Sequence, residues 1–179
     1  MISINIFGGP GTGKSTLASG LFYHLRTNGY HNVELLPEPA KDFVFNGELN
    51  KISQRTLFEI QAKRMSSMEK SGVPIVICDS PLLLNKVYST WDVDEGLARD
   101  EFHIEVEAEH ACYENYNLVL ERVHRYQTIG RVQNLTDAEI VHNSIVSMLN
   151  TSGHHFRRIK STLTPKTTFT RHLQSILPK

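Results

Sequence analysis

The chain predicts an α/β fold, a parallel sheet with helices on both faces, and three observations carry that expectation. Five short strand signals recur, at Ile2–Phe7, Val33–Leu36, Pro74–Cys78, Leu118–Val123 and, more weakly, Phe156–Ser161. The stretches between them have helical character and run about a dozen residues or longer, the room a crossover helix needs between parallel strands. The first run leads straight into Gly8-Gly9-Pro10-Gly11-Thr12-Gly13-Lys14-Ser15-Thr16, which opens into the helical pattern Leu17-Ala18…Leu21-Phe22…Leu25. Strand, glycine-rich turn and helix, in that order, are the context of a phosphate-binding loop.

The first helix is expected from Ser15 or Thr16 to about Thr27, ended by Asn28-Gly29. A short helix follows Pro39, and a longer one follows Ser53 with Leu57, Ile60, Arg64 and Met68 on one stripe, stopped by Gly72 and Pro74. A helix-like stretch comes after Pro81, and another helix spans Asp94–Cys112. Thr136-Asp137-Ala138-Glu139 reads as a capping box, Thr136 as N-cap and Glu139 at N3, for a helix ending near Asn150. Thr167–Leu177 reads as a last helix. With no internal repeat, low-complexity segment or linker, residues 1–179 are expected to form a single domain.

The chain is 40% hydrophobic with zero formal net charge, which suits one α/β domain with a sizeable core. No stretch is long and apolar enough to span a bilayer, so no membrane role is expected. Cys78 and Cys112 belong to no CxxC or CxxH cluster, which points away from cysteine metal sites and toward a reducing cytoplasm. Charge is unevenly spread. Asp92 to Glu109 holds eight acids against the single base Arg99, whereas no acid follows Glu139 and Arg157, Arg158, Lys160, Lys166, Arg171 and Lys179 do. A solvated helix face followed by a basic tail is one reading; a basic surface for phosphates or nucleic acid is the other.

The loop at Gly8, Gly9, Pro10, Gly11, Thr12, Gly13, Lys14, Ser15 and Thr16 carries the chemistry. Its backbone N–H groups and the following helix dipole favour a phosphate chain, Lys14 reaches the β- and γ-phosphates, and Ser15 ligates Mg²⁺. A nucleoside triphosphate is therefore the expected donor. Side chains just past the carboxyl ends of parallel strands line the ligand crevice, and Glu38 and Asp79 stand there. Pro74-Ile75-Val76-Ile77-Cys78-Asp79 is an apolar strand closed by an acid, so Asp79 is expected to hold Mg²⁺, or to cap the helix after Pro81, or both. Glu38 is the candidate base that accepts an acceptor hydroxyl's proton; an exposed acid beside the helix start at Pro39 is its alternative. Arg122, Arg125 and Arg131 fall in a segment of about 122–135 that can close as a lid, with Gly130 as hinge and Gln133 as a further contact. Gln54, Gln61 and Arg64 face either the core or an acceptor, and Tyr88 and Trp91 either wall an acceptor pocket or anchor a loop. His103 and His110, with Glu107 between them, read more readily as exposed side chains than as a metal site.

Gly8–Thr16, the stretch Glu34-Leu35-Leu36-Pro37-Glu38-Pro39-Ala40-Lys41-Asp42, then Asp79-Ser80-Pro81-Leu82-Leu83-Leu84 and Gly130-Arg131-Val132-Gln133 together resemble the NadR-type AAA domain family. These are P-loop kinase-like proteins common in phage genomes, and the resemblance runs from Met1 to about Gly153. It implies a P-loop NTPase three-layer sandwich with strand order 2-3-1-4-5 and an arginine-bearing lid. Pro37-Glu38-Pro39 also resembles the deoxyribonucleoside kinases, whose acid at this place acts as base. Those kinases carry Arg after the third-strand acid, whereas Ser80 stands here. Members of the family include kinases of nicotinamide riboside, and phage relatives act on 5-hydroxymethyluridine within DNA.

The expected function is an ATP- and Mg²⁺-dependent kinase that moves the γ-phosphoryl group to a hydroxyl of a nucleoside-like acceptor, free or within DNA, in a cytoplasm (the host's, for a phage-encoded chain). Its catalytic set is Lys14, Glu38, Asp79, Arg125 and Arg131, with Ser15 and Asp79 on the metal. Nine bases against two acids from Arg122 onward favour DNA, and the zero net charge favours a small molecule. A non-kinase ATPase or nucleotide-dependent switch is the alternative, although Asn85-Lys86-Val87-Tyr88 lacks the Asp of a GTPase base-reading motif.

Overall fold

The computed structural model describes residues 1–91, 97–123, 125–126 and 134–178. Along the chain run β1 (Ile2–Phe7), α1 (Lys14–Thr27), β2 (Val33–Leu36), α2 (Ala40–Phe45), α3 (Gln54–Lys70) and β3 (Ile75–Cys78). There follow α4 (Leu84–Tyr88), α5 (Leu97–Ala111), β4 (Glu114–Glu121), α6 (Leu135–Thr151), β5 (Phe156–Lys160) and α7 (Pro165–Thr168). The five strands form one sheet in the order β2-β3-β1-β4-β5, every pairing parallel. This is the order the family resemblance implied.

Strand β1 is the middle of the sheet and is buried along its whole length. Its period-two alternation sends Ile2, Ile4 and Ile6 to one face, where Leu17, Ala18, Leu21 and Leu25 of α1 pack with Phe169, Leu173 and Leu177. Phe7 lies on the other face with Phe58 and Met65 of α3, Val106 of α5 and Val141, Ile145 and Leu149 of α6. Two cores, one on each face, make the three-layer sandwich. Each fully buried aliphatic side chain contributes about 1.5–3 kcal/mol, so the sheet is held from both sides.

Four local expectations change. Strand β4 begins at Glu114 rather than Leu118, because Ile2 pairs with Glu114 and the amide of Asn5 donates to Asn115 Oδ1 (2.9 Å) and Asn117 Oδ1 (3.0 Å). A buried strand whose polar residues satisfy one another escapes a hydrophobic pattern. The buried face of α3 is Leu57, Phe58, Gln61 and Met65, not the stripe through Ile60, Arg64 and Met68. The cap of α6 is Asn134, whose side chain accepts from Asp137 N while Asp137 returns a bond to Asn134 N; Thr136 lies inside the helix. The last helix starts at Pro165, capped by Thr164, and passes at Phe169 into a π turn that ends at Leu173. The expected start of α5 at Asp94 lies outside the described residues. No helix among those described is long and apolar enough to cross a membrane.

Candidate active site

The phosphate loop leaves the buried end of β1 and enters α1 through Gly13, whose φ of 93° belongs to the left-handed region that favours glycine. Gly13 offers no side chain to cap the helix and the first turn carries no acid, so the amides of the α1 N-terminus and its dipole face an incoming anion. Helix α6 packs directly on the loop: a Cβ on Gly9 would stand 2.5 Å from the Ala138 carbonyl and 2.9 Å from His142 Cβ. Gly9 N donates to His142 Nδ1 (3.3 Å), which requires that nitrogen to be unprotonated; burial first, then the charges of Arg158 and Arg122, lower the proton affinity of this ring. Thr12 Oγ1 donates to the Gly9 carbonyl (3.0 Å), and Lys14 Nζ folds back onto the carbonyls of Gly8 (2.9 Å) and Gly9 (3.3 Å).

The sheet register brings the two acids to this loop. Leu36 pairs with Cys78, and Asp79 N donates to Leu36 O (3.1 Å), extending the ladder one residue beyond β3. Asp79 follows β3 directly, and Glu38 lies just past β2, before Pro39 caps α2. Between them sits Lys41, one turn from Glu38. Its Nζ donates to Asp79 Oδ2 (2.8 Å) and to Ser15 Oγ (2.6 Å), and stands 3.8 Å from Glu38 Oε2. Asp79 is 3% exposed, and its Oδ1 is buried with no hydrogen-bond partner among the described residues. The cap of α4 is Leu83, without a side-chain bond, so Asp79 does not serve that helix as its N-cap.

Ser15 and Asp79 thus already hold a cation between a hydroxyl and a carboxylate, with one carboxylate oxygen to spare. An oxygen-only donor set at the foot of a phosphate loop fits Mg²⁺, which takes one or two protein oxygens and completes its shell with phosphate and water. Lys41 carried no role in the sequence reading. Its spacing from Glu38, one turn into a helix opened by Pro39, was the available signal.

A buried amide network holds the loop after β3. Gln61, 2% exposed, donates to the Ser80 carbonyl and accepts from Asn85 Nδ2 (3.1 Å), and Gln54 Nε2 donates to Asn85 Oδ1 (2.6 Å). Gln61 therefore faces the core. Burial, and then the Glu38 charge, raise the phenol pKa of Tyr88. Burial likewise pushes the Cys78 thiol up to about 12, so it is inert next to Asp79. The Trp91 side chain lies outside the described residues.

On the other side of the loop, Arg122 Nη2 donates to the Pro10 carbonyl (2.7 Å) and its guanidinium lies over the Tyr126 ring at 4.9 Å. Arg122 is thus fastened to the phosphate loop. It borders a cleft of about 970 Å³ with Thr12, exposed Arg125, Tyr126, Glu139 and His142 among its walls. Arg131, Gly130 and Gln133 lie outside the described residues.

The histidines take separate partners. His103 Nε2 meets Ser89 Oγ at 2.9 Å, while His110 is 3% exposed, a correction to its reading as a surface residue, and packs edge-on against His154 at 5.0 Å. Glu107 pairs with Lys86 and, at 2.8 Å, with His154. No group of three metal-ligating side chains occurs among the described residues.

Two solved structures are similar to this one. One is deoxyadenosine kinase from M. mycoides with products dCMP and a flexible dCDP bound, at TM-score 0.61 and 16% identity, covering 98% of this chain and 100% of that one. The other is NadR protein in complex with NR, at TM-score 0.72 and 14% identity, covering 97% of this chain and 51% of that one. The present chain thus spans about half of the NadR chain. At these identities the likeness shows a shared P-loop kinase-like fold. None of the curated proteins matches the sequence. The family model described as AAA domain matches residues 3–174, nearly the whole chain, and the protein belongs to that family.

Proposed function

We propose that this protein is an ATP-dependent kinase transferring the γ-phosphoryl group to a hydroxyl of a nucleoside-like acceptor. The cluster of Ser15, Lys41, Asp79 and Glu38 at the foot of the phosphate loop is the observation that carries the reading. A second carboxylate beside the metal-holding acid suits transfer to a hydroxyl, because it can accept the acceptor's proton. In the reaction the acceptor oxygen forms a bond to the γ-phosphorus, the bond from that phosphorus to the β–γ bridging oxygen breaks, and ADP leaves. Glu38 takes the acceptor's proton.

Lys14 releases the Gly8 and Gly9 carbonyls and turns its ammonium to the β- and γ-phosphates. The Gly8–Thr16 backbone cradles the phosphate chain. Ser15 and Asp79 hold Mg²⁺, which when bound neutralises charge on the β- and γ-phosphates. Arg125 and Arg131, on a lid of about 122–135, supply positive charge to the transferred group and exclude water. The cleft beside Arg122 and Tyr126 takes the nucleotide's base and ribose, and Glu38 and Tyr88 face the acceptor. All of this is assigned to one domain, residues 1–179. The names of the two structural neighbours, a deoxyadenosine kinase and a protein bound to NR, support a nucleoside-like acceptor.

The test supplies γ-labelled ATP and Mg²⁺ with nucleosides, nucleotides, nicotinamide riboside, and DNA with and without 5-hydroxymethyluracil. Label on one acceptor class establishes transfer and names the class. Label released only as inorganic phosphate overturns the kinase reading in favour of an ATPase. Glu38→Gln is expected to slow transfer by about 10²–10³-fold with nucleotide affinity unchanged; undiminished transfer removes Glu38 from the role of base.

A further inference from the structure

The ammonium of Lys41 stands where the proposed function puts a divalent cation. Its nitrogen lies 2.6 Å from Ser15 Oγ and 2.8 Å from Asp79 Oδ2, the two groups assigned to Mg²⁺. Mg²⁺ bound through those oxygens would sit at about 2.1 Å from each, so the ion and the ammonium exclude one another sterically and repel electrostatically. The burial of Asp79 explains why a cation is needed even without metal. A carboxylate 3% exposed is costly to leave uncompensated, and its Oδ1 already lacks a partner among the described residues.

Lys41 is built to leave. Its side chain is 40% exposed on a flexible stem, and α2 buries none of its residues, so little packing ties the helix to the core. Glu38 Oε2, at 3.8 Å, is not close enough to hold the ammonium by a hydrogen bond. We infer that Lys41 is an internal stand-in for the divalent cation: it holds Ser15 and Asp79 together in the metal-free protein and is displaced from them when the metal enters. The inference rests on the assignment of Ser15 and Asp79 as metal-holding groups. Its consequence is that the nucleotide-free protein binds bare divalent ions weakly, because metal has to compete with a tethered charge. Lys41 is a positioning residue in this account, acting on the metal and not on the transferred group.

The test uses Mn²⁺ alone, titrated into the nucleotide-free full chain, with free Mn²⁺ followed by its electron paramagnetic resonance signal. Lys41→Met keeps the length of the stem and removes the charge; it is expected to bind Mn²⁺ about tenfold more tightly than the parent. Lys41→Arg restores a cation and is expected to bind as weakly as the parent. Equal or weaker binding by Lys41→Met, no binding by either protein, or an arginine variant that behaves like methionine overturns the inference. A second readout needs no variant. Lys41 labelling by an amine-reactive reagent, mapped by mass spectrometry, is expected to rise when Mg²⁺ is added to the parent protein, and unchanged labelling overturns the inference. Neither arm contains ATP or acceptor. Failure of phosphoryl transfer with the Mn²⁺ result intact therefore removes the kinase reading alone, and the converse removes only the role of Lys41.

Discussion

Two lysine–carboxylate pairs sit at opposite edges of the sheet and are finished differently. At the carboxyl edge Lys41 meets Asp79, whose Oδ1 is left buried without a partner among the described residues. At the amino edge Lys86 meets one oxygen of Glu107, and the other oxygen meets His154. Lys86 also donates to Ser152 Oγ (3.1 Å), and His154 packs on buried His110. The second cluster is closed, every carboxylate oxygen occupied by the protein itself. The first is open, with one carboxylate oxygen that no described residue occupies, which the proposed function assigns to the metal. A buried polar group left unsatisfied costs stability, so it persists where binding requires it.

Charge-removing changes at the two edges should therefore have opposite signatures, and this is where the largest effect is expected. Asp79→Asn should lower phosphoryl transfer by about 10²–10³-fold while the unfolding temperature moves by no more than about 2 °C. Glu107→Gln should do the reverse: transfer at low temperature is retained, and the loss of a half-buried ion pair costs about 1–2 kcal/mol, or roughly 3–6 °C. Activity assays and thermal unfolding of both variants check the contrast. Loss of stability in Asp79→Asn without loss of transfer would erase the distinction between the two edges.

The open edge was the more legible of the two in the sequence, for a physical reason. A phosphate loop depends on consecutive residues, and acids at strand ends are located by topology alone, so Gly8–Ser15, Glu38 and Asp79 could be placed before any coordinates. The closed edge joins α4, α5 and the turn before β5 through side chains more than twenty residues apart, and no local spacing announces Lys86–Glu107–His154. Lys41 was hidden for a related reason: its partner Asp79 is near it only through the register of β2 on β3. The start of β4 was missed because Asn115 and Asn117 break the apolar pattern yet are satisfied by Asn5. Pairwise polar satisfaction across strands is not a property of any one window of sequence.

The closed edge should fail first in acid. Burial, and then the neighbouring charge of His154, lower the pKa of His110 to about 4, against about 6.5 when unfolded. Between those values the unfolded chain binds more protons than the folded one, so stability rises with pH and is lost as pH falls from about 6.5 to 4. Burial alone would raise the pKa of Glu107, but its bonds to Lys86 and His154 outweigh that and hold it below its usual range. Its contribution is lost on acidification too. His110→Phe keeps an edge contact to His154 and removes the titration. Its unfolding temperature should match the parent near neutral pH and exceed it near pH 4, by the equivalent of about 2–3 kcal/mol. Parallel curves for the two proteins across this range would take the acid sensitivity away from His110.

Arg122 is the residue on which the comparison can be sharpened most finely, because it carries both signatures. It ties the segment after β4 to the Pro10 carbonyl and stacks on Tyr126, as a closed cluster would. Its Nε is nevertheless buried without a hydrogen-bond partner among the described residues, as at the open edge. Lysine cannot keep both contacts, since it lacks the planar fork that bonds and stacks at once. One hydrogen bond and one cation–π contact together amount to about 1–1.5 kcal/mol. Both contacts are made within the folded chain, so Arg122→Lys should lower the unfolding temperature by a few degrees in either case. If Arg122 also serves the phosphate loop, the variant should in addition weaken ATP binding by roughly five- to tenfold, as read by calorimetric titration. If it serves only the fold, affinity stays unchanged. Weakened binding is the expected result, because the loop that Arg122 fastens at Pro10 is already held from behind by α6 packing on Gly9. Held from behind by α6, the loop folds without the arginine; the proposed role of Arg122 is to fix the arrangement in which the loop presents its amides.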